Sequence, residues 1–552
     1  MRILLLVSAF NGLSQRVWCH LRDEGHEVGV ELAPTFADDA ALTEAVQRSA
    51  PDLILCPFLK HRVPASVWRR WPTVVIHPGP VGDRGPSSLD HAILDGREQW
   101  GVTALSAVEE MDAGPIWATS VFDLPAVPVA KSALYNGPVA DAAMVCVDEV
   151  LRKVAAGEQP VPADEHERVV PDTRELPLLR RTAFAIDWSA PAEVVARRIA
   201  AADGAPGAPA VVEGRTYCLY DAVAIPDETG AAPGTVVGHD TDAVAIACGR
   251  GTLLVGYAAV LDARRGPKLP AARVIDARDT LFMPLPPSHA ESVYERDGDV
   301  GFLTIRSYNG AMHTEQCRRL TTDLEKALIE DTKVLVLRGT EHAFSNGIHL
   351  GVIDAADDPA AEAWDNIRAI DELCLMLASA EQLTVAAYTA SAGAGGVMAA
   401  LCADVTLARD GVVLNPYYDM GIFGSELHTW GLAARVGVER SEELLDGKLP
   451  VSATRAARLG MVSGVGPRDP EEFDAWLRTA AAAYAEPWRQ ERMLAERARR
   501  RGDAMPLSYY QTIELAEMAR DLFEDRNGFA AKRHAFVHKV APTETPARLR
   551  FS

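Results

Sequence analysis

Short apolar runs alternate with longer amphipathic stretches from the start of the chain. Residues 3–7 read as a buried strand, followed by the turn Ser8-Ala9-Phe10-Asn11-Gly12 and a helix that Gly25 ends. Residues 27–32 form a second strand, 40–48 a helix, and 53–56 a third strand before Pro57-Phe58-Leu59. Val74-Val75-Ile76 is a fourth strand. It delivers His77 into a Pro- and Gly-rich loop where no helix continues. This alternation predicts an α/β fold with a doubly wound, mostly parallel sheet. No Gly-x-Gly-x-x-Gly follows the first strand, so nothing points to a dinucleotide.

Composition shifts at 155–171, where Gly, Pro and charge without periodicity mark a linker. Beyond it, short strands are divided by Gly, Pro and Asp turns and interrupted by one helix, 190–201. A second linker, 284–290, opens the last half. There the pattern reads strand 300–305, helix 314–329 and strand 333–338. Three domains follow from these breaks, at 1–160, 165–284 and 288–552.

Composition narrows the function classes. A net charge of −22 argues against a general nucleic-acid or anionic-membrane binder. Hydrophobic content of 48 % with 24 % charged residues is that of a soluble globular protein. The eight cysteines are scattered in apolar surroundings with no Cys-x-x-Cys, and no histidine pairing at metal spacing stands out. Free core thiols in a reducing compartment, and no metal, are therefore expected. No signal peptide or membrane-spanning run is apparent, which places the chain in the cytoplasm.

Candidate chemistry lies in loops after apolar segments. His77 ends one strand, and Asp112 sits in the turn Met111-Asp112-Ala113-Gly114-Pro115. Presented this way, the two can form a general-base pair, the carboxylate orienting the imidazole. A turn histidine and a helix-capping aspartate fit the spacing equally well. In the last half, Phe344-Ser345-Asn346-Gly347-Ile348 and the small-residue turn 390–398 enter apolar segments. Backbone N–H groups at a glycine-rich helix entry make an anion or oxyanion site, with close packing as the alternative.

The matches His77-Pro78, Arg84-Gly85, Pro86, Ala92-Ile93, Gly101-Val102-Thr103 and Asp112-Ala113-Gly114 resemble the 10-formyltetrahydrofolate formyltransferases and hydrolases. The resemblance implies a folate pocket near Cys56, Pro57, Phe58, Leu59, Arg84, Val102 and Thr103. Val75 stands where that family has asparagine. Ile186-Asp187-Trp188, Pro206-Gly207, Pro233-Gly234-Thr235-Val236 and Ala247–Gly251 resemble the small open β-barrel domain that follows the formyltransferase fold.

The two later motifs, with Gly395-Gly396 and Cys402-Ala403-Asp404, resemble the crotonase (enoyl-CoA hydratase/isomerase) superfamily and its ββα spiral fold. That likeness implies oxyanion donors at the backbone N–H groups of Ile348 and Gly395, with Phe344, Gly347 and Gly396 around the coenzyme A thioester. It also implies a closing helix over 524–536 whose Lys532 and Arg533 approach the CoA diphosphate. The two carboxylates of a hydratase are missing: Met398 holds the first position, and Tyr417 or Tyr418 the second. The run from Asn415 to Gly431 offers Tyr417, Ser425, Glu426 and His428 instead, with Glu426 an acid/base group or simply a solvated glutamate.

A formyl-folate half ahead of a crotonase half without its carboxylates resembles the HypX/HoxX family of hydrogenase maturation factors, as do the loop after His77 and the run around Tyr417. The implied function is synthesis of carbon monoxide for nickel–iron hydrogenase. Formyl passes from 10-formyltetrahydrofolate to coenzyme A, and formyl-CoA then loses CO. The implied partners are these small molecules and other hydrogenase maturation proteins. The rival readings are a formyltransferase or hydrolase with a non-catalytic CoA-binding crotonase domain, and a CoA-dependent interaction module.

Overall fold

The computed structural model describes residues 1–502 and 504–551. The first apolar runs form a six-stranded sheet: β1 (Arg2–Val7), β2 (Glu27–Leu32), β3 (Leu53–Cys56), β4 (Thr73–His77), β5 (Gln99–Ser106) and β6 (Ile116–Asp123). Its order is β2-β1-β3-β4-β5-β6, parallel from β2 to β4 and antiparallel at β5 and β6. β1, β3 and β4 are almost wholly buried, which is why their sequences are continuous apolar runs rather than alternating ones. The helix Gly12–Asp23 starts where the Asn11 side chain accepts a hydrogen bond from the Ser14 N–H, and Asp38 caps Asp39–Ser49 in the same way.

The expected small barrel is a seven-stranded, largely antiparallel sheet around Arg215–Ile225 and Thr252–Val260. It does not stand apart from the first sheet. Residues 1–285 form one compact unit together with 541–552, and 286–540 form the other. The stretches 1–160 and 165–284, expected as two domains, lie within this one compact unit. Lys131 bridges Asp90 at 2.8 Å and donates to the Ala205 carbonyl at 2.7 Å, while the Ser132 hydroxyl donates to Asp203, tying the two sheets' helices together. The tail 541–551 also leaves the crotonase domain to which the sequence assigned it. Thr545 Oγ1 accepts from the Leu32 N–H at 3.0 Å, and the Phe551 ring lies beside Gly29 and 4.0 Å from the Arg2 guanidinium.

Within the linker expected at 155–171, Val161 pairs with Ile116. Just beyond it, Glu175 pairs with Arg84 and the Thr173 hydroxyl donates to the Val81 carbonyl at 2.9 Å.

The second unit is built on a six-stranded sheet in the order Ser292–Asp297, Val300–Ile305, Val334–Arg338, Leu383–Tyr388, Val405–Arg409, Gly464–Gly466. Every pair but the first is parallel. The short strands Ala311–Met312 and Gly347–Ile348 pair beside it, and the helix Pro359–Ser379 packs over Thr314–Leu328. All eight cysteines are buried and none forms a disulfide, as expected from their apolar settings. No helix of the described residues is long and apolar enough to cross a membrane.

Candidate active sites

His77 closes β4, opposite Thr103 of β5, and is 4 % exposed. The loop after it is pinned from three sides. Ser88 Oγ and Trp100 Nε1 donate to the Pro78 carbonyl at 2.8 and 3.0 Å, and Thr103 Oγ1 donates to the Gly79 carbonyl at 2.8 Å. Gly79 has to lack a side chain, because a methyl there would run into the Asp83 carboxylate and the His77 ring. Asp112, held at φ 55° in the hairpin between β5 and β6, accepts the Gly85 N–H at 3.2 Å and lies 3.6 Å from His77 Nδ1.

The nearer partner is one the sequence does not single out. Asp83 Oδ2 lies 2.8 Å from His77 Nε2, and Asp83 is 3 % exposed. Carboxylates therefore face both ring nitrogens. Burial disfavours the imidazolium, but the Asp83 hydrogen bond and the charges of Asp112 and Asp83 outweigh it, and the His77 pKa is raised. Asp83 Oδ1 is buried without a hydrogen-bond partner. A cavity of about 350 Å³ opens beside this group, lined by Asp83, Arg84, Thr103, Asp112, Arg168 and Arg174. Val75, in the place of the family asparagine, packs on Val81, Leu105 and Ile116, so the polar partner of His77 comes from the loop instead. The only hint in the sequence was that the loop 77–90 departs from the usual formyltransferase version.

Other residues expected around folate separate into groups. Cys56 and Val102 are fully buried in the sheet and offer no side chain to a ligand. Pro57, Phe58 and Leu59 follow the end of β3, next to β1, where the strand order reverses direction. There the Phe58 carbonyl accepts the Ser8 N–H at 2.7 Å, and its ring meets Tyr135 edge-on at 6.0 Å.

In the second unit, Gly347 (φ 78°) brings the short strand Gly347–Ile348 against the entry of the helix Gly395–Leu401: a methyl on Gly347 would sit 3.1 Å from the Gly395 nitrogen. Gly395 is that helix's first residue, so its N–H has no acceptor within the helix. A methyl on Gly395 would be driven into Glu426 Oε1. Glu426 thus stands at the helix entry, fixed by backbone at φ 63° and by three hydrogen bonds. Its Oε2 accepts from Tyr417 OH at 2.9 Å and from the Ser425 N–H at 3.1 Å, and its own N–H donates to Asp371 Oδ1 at 2.9 Å. Burial raises the Glu426 pKa against the opposing pull of Tyr417 and His428. Asp371 is pushed up to about 7 by burial, then by the charges of Glu426 and Glu514. His428 lies behind, with Nδ1 3.4 Å from Glu514 and its ring edge-on to Tyr417 at 5.3 Å. Met398 is completely buried on the same helix and supplies no acid.

A hydrogenase maturation factor HoxX of Bradyrhizobium diazoefficiens is 38 % identical over 557 aligned residues, covering 99 % of this chain and 96 % of that one. The chain belongs to the HypX/HoxX family. Crystalline HypX from Aquifex aeolicus, solved in complex with tetrahydrofolic acid, superposes with a TM-score of 0.92 at 34 % identity, over 100 % of this chain and 98 % of that one. Residues 179–263 match the formyl transferase C-terminal domain, and 302–543 match enoyl-CoA hydratase/isomerase. Methionyl-tRNA formyltransferase of Enterococcus faecalis is 27 % identical across 40 % of this chain and 70 % of its own.

Within this HypX/HoxX chain, three residues carried over from the crotonases have other occupations. Phe344 is 1 % exposed and packs on Tyr388, so it belongs to the core. Gly396 is required because a side chain would strike the Ser345 carbonyl. Arg533 is 8 % exposed with Nε bonded to Asp354 at 3.1 Å. Lys532 remains at the surface, paired with Asp419 at 2.8 Å.

Proposed function

We propose that the protein makes carbon monoxide in two steps, formyl transfer from 10-formyltetrahydrofolate to coenzyme A and decarbonylation of the resulting formyl-CoA. The observation that carries this reading is the buried Glu426 carboxylate held against Gly395, at an oxyanion-type helix entry from which the hydratase carboxylates are gone. Tetrahydrofolic acid bound to the Aquifex HypX supports the first substrate.

In the first step the CoA sulfur attacks the formyl carbon while His77, its ring held between Asp83 and Asp112, relays protons between the thiol and the folate nitrogen. Asp83 Oδ1 supplies an acceptor for the thiol proton, and the folate nitrogen leaves protonated. In the second step the N–H groups of Ile348 and Gly395 hold the thioester oxygen. Ionised Glu426 takes the formyl proton, the carbon–sulfur bond breaks, and CO leaves as the thiolate regains that proton. Glu426 stays poised for this because Tyr417 and Ser425 occupy only Oε2.

The test is to give the protein 10-formyltetrahydrofolate labelled in the formyl carbon, with and without coenzyme A, and to trap gas with reduced haemoglobin. Labelled CO forms only with coenzyme A, and Glu426→Gln accumulates formyl-CoA. Labelled formate alone, with or without coenzyme A, means a folate hydrolase and overturns the proposal.

A further inference from the structure

The sequence reading expected no metal and passed over one pairing. His534 and His538 stand four residues apart, in and just after the helix Phe529–Val537, so their side chains fall on one face. Both rings converge on one oxygen of Asp354, which lies on the neighbouring helix Leu350–Ala355. His538 Nε2 is 3.0 Å from Asp354 Oδ2, and His534 Nδ1 is 3.6 Å from the same atom. The two rings lie side by side, tilted at 37° with centroids 4.1 Å apart.

A plain ion-pair network explains this arrangement poorly. Arg533 Nε already bonds the other oxygen, Asp354 Oδ1, at 3.1 Å, so the carboxylate's charge is matched without either histidine. Two imidazole nitrogens and a carboxylate oxygen are brought to one point, where a cation would take all three as ligands. Ligand atoms at 2.0–2.1 Å around a tetrahedral ion lie about 3.3 Å apart, and the measured 3.0 and 3.6 Å bracket that spacing. The Asp354 side chain is 7 % exposed, whereas that of His534 is 64 % exposed, which leaves an open face for an entering ion and a water ligand.

The geometry points to a divalent transition-metal site formed by Asp354, His534 and His538, with Arg533 as the outer partner that orients the carboxylate. Two imidazoles and one carboxylate select zinc, cobalt, nickel or copper over magnesium and calcium. The ion ties the closing helix to the helix that begins directly after Ile348, whose N-cap His349 accepts the Val352 N–H at 3.1 Å. The metal thereby steadies the segment that presents the Ile348 N–H, and takes no part in the chemistry.

The test uses full-length protein stripped with a chelator and titrated with Co²⁺, followed by its visible d–d absorption and by metal analysis after desalting. One equivalent per chain is retained, excess Mg²⁺ does not displace it, and the double variant His534→Gln/His538→Gln loses it. Because His534 is largely exposed, His534→Gln alone folds normally. It weakens Co²⁺ binding by more than the roughly 10- to 100-fold that loss of an outer-shell partner brings. A wild-type protein that retains no Co²⁺, or variants that retain as much as wild type, overturn the site.

Discussion

Replacing Asp83 with asparagine separates the two carboxylates that flank His77. The side chain keeps its shape, so the packing of the loop against Gly79 is preserved, but the charge opposite Nε2 disappears. A hydrogen bond to a charged group is worth about 1.5–3 kcal/mol, and each pKa unit corresponds to about 1.4 kcal/mol. The His77 pKa, raised in the wild type, should therefore fall in Asp83→Asn. Asp112→Asn should move it less, because Asp112 stands 3.6 Å from Nδ1 whereas Asp83 is 2.8 Å from Nε2. The sign for folding follows from linkage. A histidine whose folded pKa exceeds its unfolded value of 6.5 adds stability below that pH, and the gain is lost as pH rises through the folded pKa. The assay is NMR titration of the His77 ring, alongside the pH profile of formyl transfer, whose alkaline limb should shift down with the same substitution. A limb that moves in Asp112→Asn and stays put in Asp83→Asn would refute the reasoning, returning His77 to the single-partner arrangement that its spacing from Asp112 suggests.

Two further outcomes follow from the second unit. Gly395→Ala forces a methyl into Glu426 Oε1 at the helix entry. CO release from formyl-CoA should fall about 100- to 10,000-fold, the contribution of a positioned base, because the methyl displaces the Glu426 carboxylate; undiminished turnover would remove this helix entry from the chemistry. Asp371, pushed from 3.8 up to about 7, keeps a proton in the folded state that the unfolded chain releases. Wild-type stability should therefore decline as pH rises from about 4 to about 7, by an amount on the order of 4 kcal/mol, and Asp371→Asn should flatten that slope in urea unfolding. An equal slope in the variant would assign the pH dependence to other groups.

Much of the architecture could be read from the chain because β1, β3 and β4 are buried on both faces, and continuous apolar runs leave little choice of structure. The strand 27–32 has the same bounds in sequence and structure, and the helix 40–48 is longer by one residue at each end. The domain boundaries were less legible. Among the contacts that join the two sheets within residues 1–285 are those of Lys131, Ser132 and Asp203, and such long-range pairs leave no periodic mark. The same holds at the sites. His77 and Asp112 announce themselves by position, whereas Asp83 is one acid in an irregular loop until the backbone folds it over the imidazole. Arg533 shows the same limit from another side: its ion pair with Asp354, on a distant stretch of chain, leaves no mark in the sequence. Glu426 lay between these cases, its residue type suggestive and its burial invisible.

The tail that packs beside β2 has a consequence for the order in which the molecule is made. Residues 541–551 are synthesised after the whole of 286–540, yet they complete the edge of a sheet whose strands precede that unit in the chain. The β2 edge therefore stays uncovered at Gly29 and Leu32 while residues 286–540 emerge. A sheet begun before the second unit is completed only after it.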